Sequence, residues 1–168
     1  LGQLSDLQLS RIATFGCKEL AIGIESGSDR VLGYMGKSLC RSQVVRTVSS
    51  LLRNGINVKG YFILGYPTET RAELTETIDL INCLWDLSDK FNGSFRCSVF
   101  EFRPYPGTVE WNRLIKAGFL VKELMAYKKI DFRCQYPTLD KSMTNHRNEY
   151  SFTVGLKFGE VSPEKVQD

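Results

Sequence analysis

Three turns in the 168-residue chain hold residues whose types and spacing suit chemistry. Glu25 closes the apolar run KELAIGIE and is followed by Ser26, Gly27, Ser28 and Asp29. A carboxylate there accepts hydrogen bonds from ammonium and hydroxyl donors, and a small polar turn ahead of a helix can cradle an anion. Gly65 and Pro67 sit in a second turn, GYPTET, that follows the apolar Ile63 and Leu64. Phe102, Arg103 and Pro104 open a third, RPYPGT, where the planar fork of Arg103 suits a carboxylate or a phosphate.

Metal chemistry has no visible ligand set. The five cysteines, Cys17, Cys40, Cys83, Cys97 and Cys134, come no nearer than the 14 residues between Cys83 and Cys97, so no close pair of a zinc knuckle or redox dithiol exists. Buried structural thiols in a reducing, cytoplasmic setting are the expectation for an odd count without a signal peptide. The lone histidine, His146, lies in a polar stretch and reads as solvent-facing. No apolar run approaches the roughly 18 residues of a membrane span. A net charge of +3, spread along the chain, is too small to mark a polyanion footprint. Nucleic acid is thus not indicated, although Arg113 to Arg133 holds six cations and two acids.

The turns need elements to position them. Ser5 with Gln8, and Thr70 with Glu73, are capping boxes that start helices. The expected buried stripes are Leu7, Ile12 and Phe15 before Gly16; Val44, Val45, Val48, Leu51 and Leu52 before Gly55; Leu74, Ile78, Ile81 and Trp85; then Trp111, Leu114 and Ile115 after the cap at Thr108. Strands are expected at 18–25, 56–64 and 94–102. Their starts, set at Leu20, Val58 and Arg96, are 38 residues apart each time, with a helix in each interval. Such βα units make parallel strands whose three turns open on one face, where α/β folds bind ligands.

Alternation places Leu20, Ile22, Ile24, Val58, Phe62, Leu64, Phe100 and Phe102 under the helices. It leaves Ala21, Gly23, Glu25, Lys59, Tyr61, Cys97, Glu101 and Arg103 on the other face. The fold class is α/β, a βα repeat forming half of a partial TIM barrel with a carboxyl-terminal extension. Three units are too few for a closed eightfold barrel of about 250 residues.

GIESGSDRVLGYMGK (23–37), GINVKGYFILGYPTET (55–70) and FRPYPGT (102–108) together resemble the carboxyl-terminal half of the radical S-adenosylmethionine (SAM) enzymes. The resemblance covers residues 5–118, as strands four to six of a six-stranded partial barrel. It is to the group that holds methylthiotransferases, the elongator-subunit type and cobalamin-dependent methyltransferases and cyclases. It implies SAM as cofactor, with Glu25 and Ser26 near its amino group or ribose. Ile63, Leu64, Gly65 and Pro67 would lie on the adenine, where a glycine lets the backbone approach a flat ring. Phe102, Arg103 and Pro104 would lie near the same ring. Glu69 and Thr70 read as helix-capping instead.

The family's CxxxCxxC cluster motif and its GGE-like segment are absent from the 168 residues. The expectation is a piece of a longer product whose [4Fe-4S] cluster is bound by an upstream segment. An upstream cobalamin domain is compatible with the resemblance. Residues 1–118 would form the half barrel, and 119–168 an extension that covers the barrel or shapes the substrate site. A half barrel exposes two strand edges and an inner face, so a homodimer or larger assembly is expected. Two other readings stay open: a phosphate-binding βα barrel without iron, and a non-catalytic module that binds RNA or an acidic partner through Arg113 to Arg133.

Overall fold

A computed structural model describes residues 5–105 and 107–118. The tail from residue 119, with Cys134, His146 and most of the basic stretch, lies outside the described residues. The chain divides into two units, one reaching Phe102 and one beginning at Arg103.

The first unit runs α1 (Asp6–Thr14), β1 (Glu19–Glu25), α2 (Asp29–Tyr34), α3 (Arg41–Arg53), β2 (Asn57–Leu64), α4 (Arg71–Ser88) and β3 (Phe95–Glu101). The strands form one parallel sheet in the order β1-β2-β3. The fold class is α/β built from βα repeats, consistent with half of a TIM-like barrel. Local chemistry sets the helix starts: Ser5 and Thr70 each accept the N–H three residues on, while Gln8 and Glu73 reach back to the cap. No helix among the described residues is long and apolar enough to cross a membrane.

The core lies on one side of the sheet. Ile22, Ile24, Val58, Phe62 and Phe95 meet Val44, Val48, Leu51 and Leu52 of α3 and Leu80, Ile81 and Leu84 of α4. Each fully buried side chain of this size stabilises the fold by about 1.5–3 kcal/mol. No described helix covers the opposite face, where Ala21, Gly23 and Arg96 are exposed and Lys59 and Tyr61 half-buried.

The register corrects the expected sidedness of β3. Phe95, Cys97, Val99 and Glu101 pair with Val58, Gly60, Phe62 and Leu64 and share their helix-facing side. Phe100 pairs with Ile63 on the open face, 51% exposed, with its ring 6.0 Å from that of Tyr61. The parity of SFRCSVFEF is set by Phe95 at its start, packed in the core, and not by the pair of phenylalanines at its end.

Two helices also face differently from their expected stripes. In α4 the buried residues are Glu73, Thr77, Leu80, Ile81 and Leu84, while Ile78 and Trp85 are exposed. The helix is turned by one position because Glu73 and Thr77 find polar partners inside, so burying them leaves no unsatisfied group. In α1 the core residue is Leu9, while Leu7 and Phe15 are exposed.

The second unit is described only at its start. Thr108 accepts the N–H of Trp111 at 3.2 Å and opens α5 (Val109–Lys116), in which Trp111 and Leu114 are buried.

Candidate functional site

The carboxyl ends of β1 and β2 carry the candidate site. At the end of β1 the pairing slips, so that Gly23 faces Tyr61 and Glu25 faces Phe62, with Ile24 as the extra residue of a bulge. Glu25 takes a left-handed φ of 72°, and Ser26 N–H donates to the Ile24 carbonyl at 3.0 Å across it. This is a tight three-residue turn with a non-glycine residue at its strained centre, a conformation that clusters at functional sites.

The turn folds the Glu25 carboxylate back over Gly23. A methyl group on Gly23 would lie 2.5 Å from Glu25 Oε1. The same oxygen accepts from Lys37 Nζ at 3.0 Å. Lys37 arrives because α2 is short and Gly36 (φ 73°) ends it, after which Lys37 N–H bonds back to Leu32 O at 3.0 Å. The Glu25 side chain is 16% exposed and that of Lys37 42%, so the pair presents both charges at the rim of the open face.

The rest of the first turn is fastened to α4. Gly27 N–H donates to Thr77 Oγ1 at 2.9 Å, the Ser26 and Thr77 hydroxyls are 3.2 Å apart, and Ser28 N–H donates to Ser26 Oγ at 3.1 Å. A Cβ on Gly27 would lie 2.4 Å from Glu76 O, so only glycine lets the turn touch the helix backbone. Arg30 grips Glu73 with two of its nitrogens, Nε and Nη2, the latter at 2.7 Å, and Nη2 donates to Thr68 O at 2.8 Å. The bidentate guanidinium first, helped by the Thr70 N–H and hydroxyl, holds the Glu73 carboxyl down to about 2. Arg30 thereby ties the first turn to the second.

The second turn rests on Glu69. Its Oε2 accepts from Gly65 N–H at 2.6 Å and fixes Gly65 at φ 74°. Glu69 is 1% exposed, and its Oε1 has no hydrogen-bond partner among the described residues. Burial pushes this carboxyl above the usual range, against the pull of the Gly65 and Tyr66 N–H groups. Beside it the Tyr66 ring packs edge-on against Tyr34 and Phe102, at 5.9 and 4.6 Å between ring centres.

These contacts divide the residues singled out in the sequence. Glu25, Ile63 and Gly65 retain exposure at the strand ends. Ser26 is buried and engaged with Thr77; Leu64 is buried on the helix side; Pro67 and Phe102 are buried. Arg103, half-buried, and Pro104, buried, belong to the second unit. Thr70 caps α4 as expected, but Glu69 turns back to Gly65 instead of capping. Lys37, Gly23 and the Arg30 to Glu73 clamp were not singled out in the sequence. The capping box at Thr70 marked Glu73, but no spacing rule joins residues 12 or 43 positions apart across a fold.

The phosphate-cradle reading fares poorly at these turns. The N–H groups of Ser26, Gly27, Ser28 and Gly65 already donate to Ile24, Thr77, Ser26 and Glu69. An anion would have to displace an internal acceptor at each.

A [4Fe-4S] cluster does not fit the described residues. Cys17, Cys40, Cys83 and Cys97 are free thiols, and no three His, Cys, Asp or Glu side chains among the described residues gather to hold a metal. SAM fits better: the Glu25 and Lys37 pair matches the two charges of an amino-acid end, and the half-exposed Ile63 beside the exposed Phe100 offers an apolar surface to a flat ring.

Comparison with known proteins gives the family to which these turns belong. Residues 2–81 match the family described as the radical SAM superfamily. The chain is 33% identical over 131 residues to an uncharacterized methyltransferase of Pyrococcus horikoshii, covering 76% of this chain and 24% of that protein. It is 34% identical over 110 residues to the tRNA-2-methylthio-N(6)-dimethylallyladenosine synthase of Pelobacter propionicus, 61% of this chain and 23% of the relative. It is also 34% identical over 94 residues to the threonylcarbamoyladenosine tRNA methylthiotransferase of Thermotoga maritima, 55% of this chain and 20% of the relative. The chain thus spans a quarter or less of the curated relatives it matches. Through residues 2–81, which hold both the Glu25 turn and the Gly65 turn, the chain belongs to the radical SAM superfamily.

Proposed function

We propose that this chain is the SAM-facing wall of a radical SAM transferase, completed by a cluster-bearing part outside the described residues. The observation that carries the reading is Glu25, held in a strained turn with its carboxylate beside Lys37 at the rim of an open sheet face. Similarity to a methyltransferase and to methylthiotransferases supports transfer of a methyl or methylthio group. None of these relatives' descriptions refers to cobalamin.

When bound, SAM would supply the radical chemistry of this superfamily by its reductive cleavage. The work of this chain is to bind and orient. The Glu25 carboxylate accepts hydrogen bonds from an ammonium or ribose hydroxyl, and Lys37 offsets its charge and attracts a carboxylate. Ile63 and the Gly65 backbone form a flat apolar edge, and Glu69 keeps the Gly65 turn in its left-handed form. The clamp from Arg30 to Glu73 holds both turns in one relative position, which is what precise orientation of a reacting group requires. We further propose that in isolation the open face and the strand edges drive assembly of two or more copies.

The test uses this chain joined to the cluster-bearing segment of its full-length protein, reconstituted anaerobically with iron and sulfide, reduced, and assayed for 5′-deoxyadenosine. Product is expected, with SAM affinity lowered about 10- to 100-fold by Glu25→Ala, the size of a lost charge-assisted hydrogen bond. If no cluster and no product form, the superfamily membership extends to fold alone and this reading falls.

A further inference from the structure

We propose that the groove along the outer face of α3 is a track for the phosphate backbone of a polynucleotide strand. It is an open groove of about 650 Å3. Three arginines, Arg41, Arg46 and Arg53, line it with the hydroxyl side chains of Ser42, Ser49 and Ser50. Among the described lining residues the one carboxylate is Asp29, whose Oδ1 accepts the backbone N–H of Arg41 at 2.6 Å.

Each guanidinium keeps donors for a ligand. Arg46 is exposed, and no acidic partner holds it among the described residues. Arg53 lies over the Phe91 ring at 4.9 Å, which fixes its plane while leaving its charge whole. Arg41 gives Nη1 to Glu76 O at 2.9 Å, which aims the rest of its fork. At a rise of about 1.5 Å per residue the three sit about 7.5 and 10.5 Å apart along the helix axis, with hydroxyls between them. A repeating anion fits this spacing, and the planar fork pairs with phosphate oxygens two at a time.

An acidic protein fits less well. Among the described residues that line the groove Val45 is the one apolar side chain, and none is an aromatic anchor of the kind that carries protein interfaces. The track also has a direction. Because α3 connects parallel strands, its first residue, Arg41, lies toward the carboxyl ends of the strands, bonded to Asp29 only four positions past Glu25. A strand laid from Arg53 to Arg41 is led up the outer wall to the rim that carries the site. The binding requires no SAM chemistry, and its test reads no turnover.

The test is fluorescence anisotropy of a fluorescein-labelled uridine dodecamer titrated with the 168-residue chain at several salt concentrations. Three phosphate contacts give a log–log salt slope of about −2, a loss of affinity of about twenty-fold between 50 and 200 mM salt. Arg46→Gln with Arg53→Gln should reduce that slope to about −0.7. Arg46→Gln alone, which breaks no internal contact, serves if the double variant fails to fold, and should take off about a third of the slope. An unchanged slope in these variants would overturn the proposal. So would a loss produced instead by Lys128→Gln with Lys129→Gln, or displacement of the dodecamer by polyglutamate as readily as by unlabelled RNA.

Discussion

At Gly23 the absence of a side chain does more than ease the strand. The space above its Cα is filled by the Glu25 carboxylate, so Gly23→Ala meets the movable end of a side chain and not the backbone. The fold should survive and the carboxylate should be pushed aside. The expected outcome is an unfolding midpoint at or slightly above that of the parent, since alanine lowers unfolded-state freedom, with SAM affinity in the completed enzyme about tenfold weaker. Calorimetry and equilibrium dialysis together separate the two effects.

Two carboxyls, Glu69 in the second turn and Glu73 in the first turn of α4, respond to acid in opposite ways. Glu73, held at about 2 in the folded state against 4.5 as its ordinary value, contributes stability that is complete above about 4.5. That contribution is lost as pH falls from there toward 2. Glu69 is raised, so its burial is easiest when protonated, and the stability it gives is lost as pH rises through its folded value. Urea midpoints should therefore fall between pH 4.5 and 2, and Glu73→Gln should flatten that fall while lowering stability at neutral pH. Glu25 was legible in the sequence because it ends an apolar run before a polar turn. Lys37 and Arg30 were not, because their partners are set by where a short helix ends and where a distant one begins.

Among the elements, α4 shows how a stripe can mislead. Leu74, Ile78, Ile81 and Trp85 have helical spacing, yet the helix buries Thr77, Leu80 and Leu84 beside Ile81. Both stripes are apolar enough, and the choice falls to the polar contacts that Thr77 and Glu73 make with the first turn. The same contact explains Gly27. An added methyl would meet Glu76 O at 2.4 Å and the Thr77 Cα at 2.5 Å, backbone atoms that cannot swing away. Gly27→Ala should cost about 1–3 kcal/mol in urea unfolding, the range of an overpacked core, whereas Gly33→Ala, which meets nothing, should be close to neutral. Strands, parallel pairing and helix starts could be read from caps and repeats. The sidedness of β3 could not, because its two faces are equally mixed and one buried residue, Phe95, decides between them.

For the whole molecule, the described sheet has two edge strands, β1 and β3, and an open face with exposed Phe100. Light scattering of the 168-residue chain should report a dimer or larger species, and addition of the cluster-bearing part should return it to one copy per complex. A monodisperse monomer without that part would show that the face is covered within the chain. The superfamily was legible because three turns recur in order. The transferred group and its acceptor were not legible: the chain spans a quarter or less of these relatives, and no residue of the three turns marks an acceptor.

The seating of Gly27 on the α4 backbone has a further consequence, for motion. A turn that touches a helix through bare backbone, with three of its N–H groups donated internally, has no hinge of its own. It travels with α4 or not at all, so this rim cannot serve as a lid. Microsecond-to-millisecond exchange measured at Ser26 to Ser28 should match that of Thr77 and its neighbours, the signature of a rigid doorpost instead of a door.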